Sequence, residues 1–324
     1  MHLGIDVGKK KLNCALLVRG QDGKERSRSK VVENTPAGIE ALQSWLRANS
    51  APPGSCRVCM EATSTYYEAV AEGLHAAGYA VAVINPLRIK AYGQSLLSRQ
   101  KTDDSDAVLI ARFSQANEAP AWAPAAPELR ELQRLVARLE AVVGMRVAEQ
   151  TRLHESAGAA RESVERLLAI LCAEEKALEQ AITEHIDRHP PLRKQRELLK
   201  SIPAVGDKLS AHFMCLPVAR LENAKQAVAF VGLSPKHTQS GSSVRGKTRI
   251  AKIGHARMRK MLYMPALCAL KHNPAIIEFA KRLKANGKTG KVLVAAVMRK
   301  LLQWMFAVVK HQQPFNLSLA LAKP

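Results

Sequence analysis

The sequence predicts an α/β domain over residues 1–125, a long helical connector over 126–191 and a mainly α-helical, basic domain over 192–324. Three observations predict it. Short apolar runs, most of them ended by Gly, Asn or Pro, follow one another from His2 to Ile84, the pattern of strands with intervening helices. Leu129, Leu132, Val136, Leu139, Val143 and Val147 then recur at three- and four-residue steps, and Leu167, Leu171, Leu178 and Ile182 repeat the pattern, as long helices do. After Pro191 the chain reads as helical, and from Arg245 to Lys310 it holds one acid, Glu278, among closely spaced Lys and Arg.

Taken in order, His2 to Val7 ends at Gly8 and Lys11 to Val18 is a second apolar run, so the chain opens on an antiparallel hairpin with Asp6 inside it. An acid between Ile5 and Val7 on a buried strand is costly without a compensating partner. A third strand is expected at Ser29 to Val32, and a helix from Pro36 to Ala48, capped by Asn34 or Thr35. Cys56 to Met60 is the next strand, with Glu61 at its tip. Tyr67 to Ala77 reads as a helix and Tyr79 to Ile84 as a strand, before Asn85-Pro86 starts another helix. Three antiparallel strands followed by alternating helix and strand fit a sheet of the ribonuclease H type.

Lys101-Thr102-Asp103-Asp104-Ser105-Asp106 then opens a helix to about Gln115, with Asp103 and Asp106 on one face. Acids at a helix start are favoured by capping and by the dipole alone. That does not explain Asp6 and Glu61, which the strand pattern brings to the same edge of one sheet. Oxygen ligands converging from several elements suit Mg²⁺, and four carboxylates are enough for one or two such ions. Cys56 and Cys59 sit three apart on a strand, pointing to opposite faces, which is a poor arrangement for sharing a metal.

The connector stripe predicts two long helices that break near Gly158 and end before Pro190-Pro191. They form either a hairpin within the chain or a coiled coil between subunits; the narrow, heptad-like stripe favours assembly.

Forty-nine Lys and Arg against 28 Asp and Glu give a formal charge of +21, which calls for a polyanionic partner, most often nucleic acid, with an acidic membrane surface as the competitor. With 47% hydrophobic residues the chain is no disordered tail. No uninterrupted apolar run approaches the roughly 20 residues of a membrane span, and MHLGIDVGKKK has no apolar signal core. A cytoplasmic protein acting on the nucleoid is expected. Six scattered cysteines make no disulfide framework. Aromatic content of 4% argues against a stacking platform for single strands and for backbone contacts to duplexes or folded RNA.

The chemistry-bearing stretch of the last domain runs from Val231 to Tyr263. Ser240-Gly241-Ser242-Ser243 precedes Arg245, Lys247, Arg249, Lys252, Arg257, Arg259 and Lys260, with no acid between. A serine beside glycine has little steric cover and a backbone free to bring its hydroxyl to a ligand. The cations that follow suit a phosphate and the charge that grows on it during transfer, Arg245 and Lys247 foremost. Read blandly, the same residues are a flexible polar turn beside a solvated basic helix. Tyr263 follows the basic block and has the chemistry of a nucleophile, as in tyrosine recombinases, but its apolar neighbours Leu262, Met264 and Leu270 favour a core or packing role; Arg299 and Lys300 are expected to form a solvated edge.

Several blocks together resemble a known family. GIDVGKK around Asp6, MEATSTYY around Glu61, VINP at 83–86 and KTDDSDA around Asp103 and Asp106 are similar to the four-carboxylate RuvC-like domain of DEDD transposases of insertion-sequence family one-ten. SIPAVGDK at 201–208, FVGLSPKHTQSGSSVRG at 230–246 and NGKTGKV at 286–292 resemble that family's C-terminal domain. The resemblance implies a recombinase that moves its own element, guided by a structured bridge RNA whose loops pair with target and donor DNA. It also implies Ser240 as nucleophile, the tetrad Asp6, Glu61, Asp103 and Asp106 with Mg²⁺, and a composite site in a dimer or tetramer. Asp104 is then a variable middle position. Relatives commonly read proline-glycine-x-glycine where this chain has Pro203-Ala204-Val205-Gly206, so alanine replaces the first glycine of an expected tight turn.

Two other readings compete. A metal-dependent nuclease of the Holliday-junction-resolvase type would cut by activated water and leave free ends, without the serine. A nucleic-acid-binding scaffold would use the acids as caps and the serines as a turn.

Overall fold

A computed structural model describes residues 1–20, 23–96, 103–236, 239–240, 244–245 and 249–322, the side chains of 103–104, 239–240 and 244–245 excepted. The chain divides into two compact units, Met1–Ala125 and Ala126–Pro324.

The first unit is built on a five-stranded sheet in the order β3-β2-β1-β4-β5. Its strands are β1 (His2–Val7), β2 (Lys11–Arg19), β3 (Glu25–Glu33), β4 (Arg57–Glu61) and β5 (Ala80–Ile84). β2 runs antiparallel to both β1 and β3, whereas β4 runs parallel to β1 and to β5. This mixed order is the one expected of a ribonuclease H-type sheet. β1, flanked on both sides, is buried except at His2 and Asp6, which are half-buried, and its other residues are apolar or glycine, as in strands covered on two faces. β3 is longer than the Ser29–Val32 expectation because its backbone pairs with β2 over its whole length, while its side chains, Val32 apart, are exposed. An exposed edge strand has no apolar periodicity to reveal it.

Helices cover both faces. α1 (Pro36–Ala48) and α2 (Tyr67–Ala76) lie on one side, where Leu3, Ile5, Leu42, Val58, Met60 and Leu74 share a core. On the other side α3 (Pro86–Ser95) and α4 (Asp103–Ala116) close over Cys59, Ala82 and Ile84 with Ile89, Ile110 and Phe113. Cys56 and Cys59 thus belong to opposite faces, as the strand reading required; burial pushes their thiols up to about 11 and about 12. Thr35 caps α1 by accepting the Gly38 N–H, and Asn85 caps α3 by accepting that of Leu87. Thr35, not Asn34, is the cap of α1, and the Asn34 amide is engaged elsewhere.

In the second unit, α5 (Pro127–Leu153) and α6 (Gly158–Arg188) pack on each other, tied by the Arg146–Glu175 pair at 2.6 Å. The lower part of the stripe, Leu132, Val136, Leu139, Ile182 and Ile186, enters the same core as the helices that follow. Met145, Val147, Leu167 and Ile170, further along, remain exposed. The following helices are α7 (Pro190–Lys200), α8 (Asp207–Met214), α9 (Ala224–Val231), α10 (Ala256–His272), α11 (Pro274–Ala285), α12 (Gly290–His311) and α13 (Leu317–Ala322). Between α9 and α10 lie four two-residue strands. β6 (Pro235–Lys236) pairs with β9 (Arg249–Ile250), and β7 (Gln239–Ser240) pairs with β8 (Val244–Arg245). By length and composition α12 is the one described helix able to cross a membrane, but Leu293, Val297, Leu301, Leu302 and Met305 along it are buried in the unit's core.

The turn from α7 into α8 closes despite its alanine. Ala204 takes φ +80°, the Val205 N–H donates to the Ile202 carbonyl at 3.0 Å, and Asn273 Nδ2 holds the Pro203 carbonyl at 3.0 Å. An L-residue in that region costs about 1–2 kcal/mol. Ala204→Gly removes this strain at the expense of a more flexible unfolded chain. The expected result is a melting temperature higher by about 2 °C, read by thermal denaturation; a lower one would mean that the turn is unstrained.

Two sequence readings are corrected here. Tyr263 is 43% exposed: with about 100° between successive residues, α10 turns Leu262 inward and leaves Tyr263 and Met264 on its outer face. Lys300 is no solvated edge, since its ammonium lies over the rings of Phe279 and Trp304 at 5.5 and 5.6 Å and partial burial lowers its pKa.

Candidate functional site

The sheet register decides where the first two carboxylates stand. Gly4 pairs with Cys59 and Ile5 with Met60 across the parallel β1 and β4, so one step further sets Asp6 beside Glu61. Residues two apart on a strand share a face. Asp6 therefore lies on the face of Gly4, and Glu61 on that of Cys59, the face covered by α4.

The direction of α4 brings the helical acids to the same end. Ser114, near its C-terminus, shares a 3.1 Å hydrogen bond with His2, at the start of β1. Further back, α4 rests directly on Gly4, where a Cβ would stand 2.1 Å from the Ala107 carbonyl oxygen and 2.4 Å from the Ala111 nitrogen. The helix therefore runs antiparallel to the strand. From Ala107 back to Asp103 is about 6 Å of helix, and from Gly4 on to Asp6 is about 7 Å of strand. The start of α4 is level with Asp6. Glycine at position 4 is what permits this approach, a requirement that apolar patterning alone does not reveal.

Asp6, Glu61 and Asp106 are each half-buried. Among the described residues no three His, Cys, Asp or Glu side chains stand close enough together to hold a metal ion; the side chains of Asp103 and Asp104 lie outside the described set, as does Thr102 entirely. The donor set at this edge consists of carboxylate oxygens with no thiol or imidazole predicted among them, which is the chemistry that hard divalent ions take.

In the second unit, Ser240 ends β7 opposite Val244 of β8. Its side chain, that of Arg245, and residues 241–243 and 246–248, which include Gly241, Ser242, Ser243 and Lys247, lie outside the described set. Arg249 and Lys252 are exposed, and Lys252 takes φ +59°. Two of the expected phosphate holders have partners within the fold. Arg257 Nη1 lies 2.6 Å from Glu140 Oε2, and Arg259 Nη1 donates to the Val231 carbonyl at 2.7 Å, at the end of α9. The acid absent from the basic block is thus supplied by α5, through a contact 117 positions distant in sequence that no local pattern signals. Arg257 and Lys260 also border a cavity of about 380 Å³ with Glu140, Glu175, Lys208 and His212.

His255 begins α10. Its Nδ1 accepts the Met258 N–H at 3.1 Å, which requires the unprotonated nitrogen. Burial, chiefly, lowers its pKa from the ordinary 6.5; Glu140 acts to raise it, and Arg257 and His212 to lower it. The unfolded chain then binds the proton first as pH falls, so this stabilisation is complete above 6.5 and is lost on acidification below it. His255→Asn caps without titrating. Its unfolding free energy should fall less between pH 7 and 5 than that of the parent, by about 1 kcal/mol, the worth of one cap; parallel curves in chemical denaturation would remove His255 from the account.

Family models match two stretches of the chain, the first running past the boundary between the two units. A DEDD transposase model of the IS110 type matches residues 3–156, and a model described as the transposase IS116/IS110/IS902 family matches residues 196–281. The pilin gene-inverting protein of Moraxella bovis is 29% identical over 318 residues, 97% of each chain, and that of Moraxella lacunata is 28% identical over the same share. An insertion element IS110 protein of 43.6 kDa from Streptomyces coelicolor is 24% identical over 137 residues, 42% of this chain and 33% of that one. Among solved structures, Thermus thermophilus RuvC, alone and in complex with a Holliday junction substrate, is 16% identical over 37% of this chain and 99% of its own, with TM-scores of 0.27 and 0.26.

Proposed function

The chain belongs to the IS116/IS110/IS902 family of transposases, and from that premise we propose that it excises and inserts its own DNA element, guided by a structured bridge RNA, through a covalent phosphoserine intermediate. It is a DNA transposase/recombinase. The observation that carries the site reading is the convergence of Asp6, Glu61 and the start of α4 at one edge of the sheet. In this reading Asp6, Glu61, Asp103 and Asp106 hold Mg²⁺. Mg²⁺ bound there would draw charge from a phosphate oxygen and favour attack on phosphorus.

Ser240 Oγ forms the bond to phosphorus while one deoxyribose oxygen leaves and takes up a proton. The phosphodiester energy is kept in the serine ester, so a strand hydroxyl can later reverse the step onto a new partner. Arg245 and Lys247 stabilise the charge that grows on the phosphoryl oxygens, and Arg249, Lys252, Arg257, Arg259 and Lys260 contribute contacts to DNA or RNA backbone. Arg257 must exchange Glu140 for phosphate to take part. Target and donor duplexes are the substrates, read by the RNA more than by side chains. The exposed apolar residues beyond the base of the α5–α6 pair support an assembly role for these helices as a coiled coil between copies, in a dimer or tetramer whose composite site joins a carboxylate unit to another copy's serine. A bacterial, cytoplasmic protein working at the nucleoid is the setting.

The test combines full-length protein, Mg²⁺, RNA transcribed from the element's flanks and labelled target and donor duplexes on a denaturing gel. Label migrating with protein, and only when the RNA is present, is the expected result. Cleavage to free ends without an adduct would instead assign the chemistry to activated water.

A further inference from the structure

The geometry points to Asn34 as a positioning residue that locks the two loops carrying the ends of β1 and β4, and so sets the spacing of Asp6 and Glu61; this rests on the reading of those carboxylates as metal ligands. Asn34 follows β3, at the edge of the sheet remote from β4. Its Nδ2 donates to the Gly8 carbonyl at 3.1 Å and to the Tyr66 carbonyl at 3.0 Å, and its backbone N–H donates to the Lys10 carbonyl at 2.9 Å. One primary amide has two N–H groups, and each is used on a different loop. Gly8 and Lys10 belong to the turn that leaves β1 two residues after Asp6; Tyr66 closes the loop that leaves β4 after Glu61.

That second loop needs an outside tether. Ser64 sits at φ +50°, a conformation that L-residues rarely hold unless neighbours impose it. The loop's first residue is held to the end of β5, the Ala62 N–H donating to the Ile84 carbonyl at 2.9 Å, but the bonds further along, Thr63 N–H to the Glu61 carbonyl at 2.9 Å and Tyr66 N–H to the Thr63 carbonyl at 3.2 Å, are short-range and do not fix its far end. Asn34 does. The residue is also retained at a cost, because its Oδ1 is buried and makes no hydrogen bond among the described atoms. A polar side chain that leaves half its amide unsatisfied while bridging two loops serves the loops, not the burial. Its effect on a metal is indirect: partners that orient ligands typically alter affinity by about 10- to 100-fold when removed.

The experiment titrates Mn²⁺ into full-length protein and counts free ion by electron paramagnetic resonance, with DNA cleavage followed over the same metal range. Asn34→Ala and Asn34→Leu both remove the donors, and Leu keeps the shape, so a loss common to both is not a packing defect. About tenfold weaker Mn²⁺ binding is expected in each. A raised metal concentration for half-maximal cleavage should accompany it, with the rate at saturating metal largely restored and the melting temperature nearly unchanged. Asp6→Asn runs beside them. If it abolishes Mn²⁺ binding while both Asn34 variants bind as the parent does, the positioning role is wrong and the carboxylate site stands. If Asp6→Asn binds Mn²⁺ normally, the carboxylate reading fails and the role of Asn34 fails with it. A lowered melting temperature with unaltered metal affinity would reduce Asn34 to a structural tie.

Discussion

Ser240→Ala is expected to remove the protein-DNA adduct and to lower recombination by about 10³-fold or more, the scale on which loss of a covalent nucleophile acts. The substitution deletes one oxygen from a residue at the end of β7, whose pairing with β8 runs through backbone and is indifferent to the hydroxyl. Folding and affinity for duplex should therefore stay within about threefold, since binding rests on many cations, each contributing a small share. Ser242→Ala and Ser243→Ala supply the control. They change neighbouring hydroxyls in the same block, so a nucleophile at 240 predicts adducts in both, while a polar turn predicts that all three variants behave alike. Transfer of label from DNA to protein, read on a denaturing gel with mobility shift on the same samples, separates these outcomes. An adduct that persists in Ser240→Ala would end the assignment.

What the sequence made legible is what depends on local pattern. Strand runs, the Pro36 and Pro86 helix starts and the break before Gly158 are all written in neighbouring residues, and each stands in the structure within a few positions. That Asp6 and Glu61 stand at one sheet edge was legible for a different reason: Asp6 is an acid on a buried strand, which conflicts with its surroundings, and Glu61 stands at the tip of another strand. What escaped is what needs the third dimension. Glu140 reaches Arg257 from another helix, Asn34 reaches two loops with its amide although its position reads as a helix cap, and Gly4 matters because α4 rests on it. Ala204 shows the opposite error, a substitution that local rules disfavour but that the turn bond from Val205 to Ile202 and the tertiary bond from Asn273 to Pro203 accommodate.

Neutralising the sheet-edge carboxylates is the second large effect expected. Asp6→Asn and Glu61→Gln each keep shape and remove charge, so each should lower strand cleavage by about 10²- to 10³-fold, as removal of a metal ligand does, with DNA binding retained. A scaffold reading, in which these acids only tie the fold together, predicts lost stability and preserved function instead. The double variant is more informative than either single one. If Asp6 and Glu61 serve one ion, removing either disables the same event and the pair together costs little more than one alone. Independent roles would multiply to about 10⁵-fold. Non-additive losses with intact folding, measured as single-turnover cleavage beside thermal denaturation, are the result expected if the side-by-side register of β1 and β4 sets both carboxylates on one ion. Multiplicative losses would separate the two carboxylates into different steps, and full activity in either variant would take that residue out of the site.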